Sequence, residues 1–196
     1  MAVRSGTYRG VSAADRAAER RSRLLEATLT VWAGEDRVTM TRICAEAGLS
    51  ERYFYESFQA VDDALVAVME WIAAEIEATA QAAADATDGD LATRMRASVR
   101  AFVALIDRDP RKGRVAIIES AALPQTRRQR TALLRRFAHR AASELHAPPR
   151  SDIHGEVAGL LFIGGMAELV TAWLDGAIDA TPDDLADAVV AMFVGR

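Results

Sequence analysis

The side chains best equipped to recognise another molecule are gathered between Thr39 and Phe58, in the stretch TMTRICAEAGLSERYFYESF. Arginine, serine, threonine and tyrosine at this density offer donors to phosphate oxygens and base edges. Groups that could run a reaction are sparse by comparison. His139, His146 and His154 form no HExxH pair, Cys44 falls on the apolar side of its segment, and no glycine-rich phosphate loop occurs. Glu119 and Glu168 stand in the most apolar surroundings, where pairing with an arginine is expected and a cationic ligand is the alternative. Binding is therefore expected rather than catalysis, with no cofactor and no metal.

Those side chains need a rigid mount, and the local pattern supplies one. Thr39 can cap a short helix in which Met40, Ile43, Cys44 and Ala47 share a face. Gly48 stops it, Leu49 points inward, and Ser50 caps a third helix with Phe54 and Phe58 on one side. Two short helices joined at a glycine make a helix-turn-helix, in which the first braces a second that enters the major groove. A preceding helix starts at Ser12, with Asp15 completing a capping box, and runs to about Ala33. Leu24, Leu25, Leu29, Val31 and Trp32 mark its buried side, and Gly34-Glu35-Asp36 ends it.

The rest of the chain also carries the helical period, and no run alternates as a strand would. Helices are expected at about 62–86, 90–107, 111–122, 125–146, 151–179 and 183–194, punctuated by Pro110, Pro124, Pro148-Pro149 and Thr181-Pro182. The fold class is thus all-α, with about nine helices. An amino-terminal helix-turn-helix domain spans 1–60, with a basic arm at 1–11, and a larger helical domain spans 61–196.

With 196 residues, a net charge of −4 and half its residues hydrophobic, the chain has the balance of a globular protein. The positive charge is concentrated. Six arginines stand against Asp15 and Glu19 in residues 1–23, and thirteen basic side chains against three acidic ones in 94–140. The second cluster reads as a solvated face. Lys112 is the sole lysine and Cys44 the sole cysteine, which excludes an internal disulfide. No secretory signal is visible, and the longest uncharged apolar run, Val157–Ala167, is too short to span a bilayer. A cytoplasmic protein without a membrane partner is expected.

Thr39, Ile43, Ala47-Gly48-Leu49-Ser50, Tyr55, Phe58 and the acidic start of the next helix before Leu65 resemble the DNA-binding region of the tetracycline-repressor (TetR) family. The match covers about 22–66, and Trp173-Leu174-Asp175-Gly176 is a further similarity. The resemblance implies that Thr41, Ser50, Glu51, Arg52, Tyr53, Tyr55 and Ser57 face double-stranded DNA. Within that set Arg52 is the base reader, because its fork fits guanine, while Thr41, Tyr53 and Tyr55 suit phosphates. Arg42 is a further phosphate candidate. Val61 stands where the family usually has a phosphate-contacting lysine, and Glu51 and Glu56 add negative charge; Arg4 and Arg9 of the arm would compensate.

The resemblance further implies a homodimer through the last two helices, where Leu160, Leu161, Ile163, Leu169, Val170, Leu185, Val189 and Phe193 are apolar. Gly159, Gly164 and Gly165 would let another helix approach. An unidentified small-molecule effector would bind among Trp71, Phe102, Phe137, Phe162, Met166 and Trp173. The implied function is a transcriptional regulator, a repressor released from a palindromic operator by the effector. The alternative is an all-helical interaction module that has lost DNA binding.

Overall fold

The computed structural model describes residues 12–34, 37–145 and 152–193. The basic arm with Arg4 and Arg9, the turn residues Glu35 and Asp36, and His146 with Pro148 and Pro149 lie outside them. Every regular element among the described residues is helical, and the helical segments form nine uninterrupted stretches. The chain divides into two compact units, Met1–Val68 and Met69–Arg196, so the division falls after Val68, inside a helix, and not at residue 60.

The first unit holds α1 (Ala13–Ala33), α2 (Met40–Ala47), α3 (Glu51–Ser57) and the start of α4 (Val61–Asp85). Local chemistry sets the starts. Ser12 and Asp15 form the capping box, each side chain accepting from the other's backbone N–H at 3.0 Å. Asp63 accepts from the N–H groups of Gln59 and Ala60 ahead of α4. The core then closes on Leu24, Ala27, Ile43, Cys44, Ala47, Phe54, Phe58 and Ala64. Leu25 and Val31 are only half-buried, whereas Ala27 and Thr28 are buried on the same helix. Val61 packs against this core, so the residue that replaces the expected lysine has an apolar task.

The second unit continues α4 and adds α5 (Leu91–Arg108), α6 (Pro110–Gly113), α7 (Ser120–Ala122), α8 (Arg127–Leu145), α9 (Asp152–Leu174) and α10 (Pro182–Phe193). Asp90 caps α5 and a Thr181–Asp184 capping box starts α10. Hydrogen bonds from Ser12, Thr93 and Thr181 hold Asp15, Asp90 and Asp184 below the usual carboxylate range. One helix was expected over 111–122. The stretch is continuous, but Arg114–Glu119 widens into a π-turn between α6 and α7.

A single helix was likewise expected over 151–179, yet α9 stops at Leu174. Gly176, at φ +72°, closes it: its N–H donates to the Trp173 carbonyl, and the Ala177 N–H donates to that of Ala172. That is a Schellman cap, which needs a left-handed residue.

Two apolar clusters build this unit. Val99 and Val103 of α5 meet Met166 of α9 and Leu185, Ala186 and Val189 of α10. Leu105, Ile106 and Val170 form the other. Val170, Leu185 and Val189 are therefore interior residues of one chain, and Phe193 stacks edge-on against Phe162. Part of the positive cluster of 94–140 is paired across helices. Arg96 and Arg100 reach Asp187 and Asp183 of α10, and Lys112 reaches Glu75 of α4 at 2.7 Å.

The α9 stripe Val157, Leu160, Leu161, Gly164, Gly165 and Glu168 is exposed. Glu168 is thus not the buried carboxylate expected, while Glu119 is half-buried and faces Arg114 at 3.8 Å. By length and composition His154–Leu174 is apolar enough to cross a membrane, although 22% of its apolar window is buried. The apolar stretch is longer than its uncharged run Val157–Ala167, because only Glu156 and Glu168 interrupt it.

Candidate nucleic-acid interface and apolar cavity

The polar face of the first unit is built on the turn between α2 and α3. Thr39 caps α2, its hydroxyl accepting from the Arg42 N–H at 3.4 Å. At the other end Gly48, at φ +61°, donates to Ala45, and the Leu49 N–H donates to Cys44. Arg23 of α1 adds a bond of 2.6 Å to the Ala47 carbonyl. Leu49 then turns into the core and aims the chain into α3. Ser50 begins α3 with its backbone, but its side chain makes no cap bond.

On this mount Thr41, Ser50, Glu51, Arg52 and Tyr55 are exposed, and Tyr53 and Ser57 are half-buried. Phe54 and Phe58 are buried beneath them with ring centroids 5.5 Å apart. Arg52 is the most projecting side chain of the ion pairs here, 84% exposed, with Nε 3.2 Å from Glu56 Oε1. Arg20 binds the other Glu56 oxygen at 3.5 Å, so this carboxylate is flanked by two guanidinium groups.

The arginines of α1 also build this face. Arg20 covers the Tyr53 ring at 4.5 Å, and Arg21 covers Phe58 at 4.5 Å while donating to the Ser57 carbonyl. The signal was the density of arginine near residue 20, but contact across helices has no local signature. Burial, then the negative charge of Glu51, pushes the Cys44 thiol up, which keeps it neutral and unreactive. Among the described residues no group of three or more His, Cys, Asp or Glu could hold a metal ion.

The second unit encloses a cavity of about 310 Å³ between α4, α5, α8, α9 and the π-turn. Phe102, Phe137, Phe162 and Met166 line it. Trp71 and Trp173 do not. Trp71 lies under the Lys112 ammonium at 5.2 Å, and Trp173 Nε1 donates to the Ala180 carbonyl at 3.0 Å, tying down the turn after α9. Size and apolarity alone had nominated both tryptophans, whereas each is held by a polar partner elsewhere.

The wall also carries Glu77, Gln81, Arg94, Arg130 and Arg140. Arg136 holds Glu77 at 2.9 Å, Asp85 lies 3.7 Å from Arg94, and Arg140 bonds Gln81. Arg130 Nε is buried without a hydrogen-bond partner. The chemistry of the wall is thus apolar with an excess of cations.

No family model matches the chain, and no curated protein matches it in sequence. Solved structures do match in fold. The fatty acid degradation regulator FadR from Bacillus halodurans superposes with a TM-score of 0.78 at 15% identity, over 90% of this chain and 95% of that one. A TetR-like transcriptional regulator from Rhodococcus sp. RHA1 gives 0.68 at 17% identity, over 90% and 94%. AibR, solved with isovaleryl coenzyme A and operator DNA, gives 0.68 at 19% identity, over 90% and 99%. The chain has the all-helical fold of these regulators.

Proposed function

We propose that the chain is a TetR-family transcriptional regulator: a homodimer that binds a palindromic operator and is released by a small molecule held in the second unit. The observation carrying this reading is the face of Thr41, Ser50, Glu51, Arg52 and Tyr55, exposed on a core of Ile43, Cys44, Phe54 and Phe58. AibR, with the same fold, was solved with both operator DNA and an acyl thioester. Repression follows the usual mode of the family. The rival, an interaction module without DNA binding, rested on Val61, Glu51 and Glu56. Val61 packs against the core, and Glu56 keeps Arg20 at 3.5 Å when Arg52 turns away to a base, which leaves Glu51 as the main charge in its favour. Selection from a random duplex pool tests the proposal. A two-fold site bound in a salt-dependent manner is expected, and single asymmetric sites or no enrichment would refute it.

Arg52 must leave Glu56 to reach a base. For so exposed a pair that release costs about 0–1 kcal/mol, against roughly 1–3 kcal/mol from a bidentate guanine contact, so reading wins. Arg52→Ala is expected to weaken the best site by about 1–3 kcal/mol and relax one base position per half-site. Tyr55→Phe should weaken all sequences alike and leave the preferences intact. A panel of single-base variants at fixed salt separates the two, and uniform weakening by Arg52→Ala would make it a phosphate contact.

Dimerisation is assigned to the exposed stripe of α9 with Met192 of α10, which is 83% exposed. The added Cβ atoms of Gly164 and Gly165 would meet nothing within 4 Å in the single chain. Leucine at both positions should therefore leave the fold intact while overpacking the contact between copies, at about 1–3 kcal/mol per site. Sedimentation at low concentration checks this, and a variant that stays dimeric moves the interface elsewhere. Gly159 belongs to a different contact, because its neighbour is α8 of the same chain.

A further inference from the structure

Polar contacts between α4 and α8 fix the direction of the cavity. Glu70 meets Gln129, Glu77 meets Arg136 and Gln81 meets Arg140, a constant separation of 59 residues. The two helices therefore run parallel, and position along one can be read from the other. Lining residues on α8 extend from Arg130 to Ala141, which at the helical rise covers about 16 Å. The cavity is elongated, with different ends. Near Arg140 stand Leu91, 39% exposed, and Arg94, whose side chain is 49% exposed. At the level of Arg130 stand Met69 and Ala73, both buried. Solvent thus reaches the cavity at the Arg94 end, and at the other end Arg130 is half-buried with its Nε fully covered.

Each other charged group on the wall has a partner within the chain: Glu77 has Arg136, Arg94 has Asp85, and Arg140 has Gln81. Arg130 Nε, buried and unbonded, is the exception among them. A buried donor on a permanent cation is costly when unmet, and such groups are nearly always satisfied. The most favourable complement is a carboxylate, whose two oxygens fit the guanidinium fork. A small inorganic anion would satisfy the fork but leave the surrounding Met69, Ala73, Val99 and Phe102 surfaces uncovered.

From these observations, and resting on the effector role proposed above, we infer that the ligand is an elongated apolar carboxylic acid that enters carboxylate first, with Arg130 as its counter-ion. A simple acyl thioester would place its bulky polar part at the solvent end and present a methyl group to Arg130. The inference therefore separates this cavity from one built for acyl coenzyme A.

Calorimetric titration of the full chain with decanoate, 1-decanol and decanoyl coenzyme A tests it. Decanoate is expected to bind tightest. Arg130→Met should weaken decanoate by about tenfold or more without weakening decanol, and Arg130→Lys should retain part of the affinity. Arg135→Met, which removes an exposed cation from the same helix, should leave decanoate unaffected. Decanoyl coenzyme A binding best, or decanoate binding equally to wild type and Arg130→Met, overturns the carboxylate assignment, as does the failure of all three ligands to bind. Operator binding by the same preparations tests the regulator reading separately, so either can fail alone.

Discussion

Phe54→Ala is expected to be among the most damaging single substitutions in the first unit, at about 3–5 kcal/mol of stability. Phe54 is 1% exposed and lies at the centre of the core that α1, α2 and α3 share. Its ring meets Tyr55 edge-on at 5.8 Å and Phe58 at 5.5 Å, so truncation removes packing from both neighbours as well as its own burial. The polar face depends on that packing, because Tyr53 and Tyr55 flank Phe54 in α3 and Arg52 stands two residues before it. A urea titration followed by circular dichroism measures the loss. Phe54→Leu, which leaves a smaller void, should recover much of it. A cost below about 1 kcal/mol for alanine would mean that the core relaxes around the gap, and that α3 is held mainly by its surface arginines.

Gly159→Ala should do comparable harm in the second unit through the opposite error. An added Cβ would lie 2.1 Å from the Ala138 carbonyl oxygen and 2.9 Å from its carbon, both backbone atoms of α8. No rotamer change relieves that clash, so α8 and α9 must move apart, at about 1–3 kcal/mol or more. Phe162 and Ile163, one turn further along α9, line the cavity, and ligand affinity should fall with stability. Gly164→Ala is the control. Its Cβ meets nothing within 4 Å, so better helix propensity should leave the monomer neutral or more stable by up to about 1 kcal/mol. Equal effects at the two positions in dilute denaturant titrations would remove the close approach as the cause.

The amino-terminal helices were legible because their signals are short-range. Ser12 with Asp15, Thr39, and Gly48 with Leu49 each act within a few residues, and the boundaries of α1 and α2 fall where those residues put them. Features settled at longer range were not. The π-turn at Arg114–Glu119 depends on bonds one residue longer than usual, which no residue type encodes. The end of α9 has a local signal in Asp175-Gly176, but Gly155, Gly159, Gly164 and Gly165 lie inside the same helix, so residue type alone does not mark which glycine takes the left-handed turn. In the cavity, Phe102, Phe137, Phe162 and Met166 line the wall, but Trp71 and Trp173 do not, since polar partners turned them elsewhere. Arg130 was hidden for the converse reason. It is one of thirteen cations in a stretch whose others mostly find acids or water, and isolation shows only in three dimensions.

The constant register between α4 and α8 limits how the cavity can change size. Sliding one helix along the other by a single residue, about 1.5 Å, would misalign the Glu70, Glu77 and Gln81 contacts together. Each is weak at a partly exposed site, but they fail at the same displacement, so shear along this wall meets resistance that none imposes alone. Splaying α5 from α4 breaks fewer such contacts, the Ser98 hydroxyl to the Ala80 carbonyl at 3.0 Å and Arg94 to Asp85 at 3.7 Å. Expansion around a longer ligand should therefore proceed by opening sideways, with α4 and α8 retained as a fixed rail.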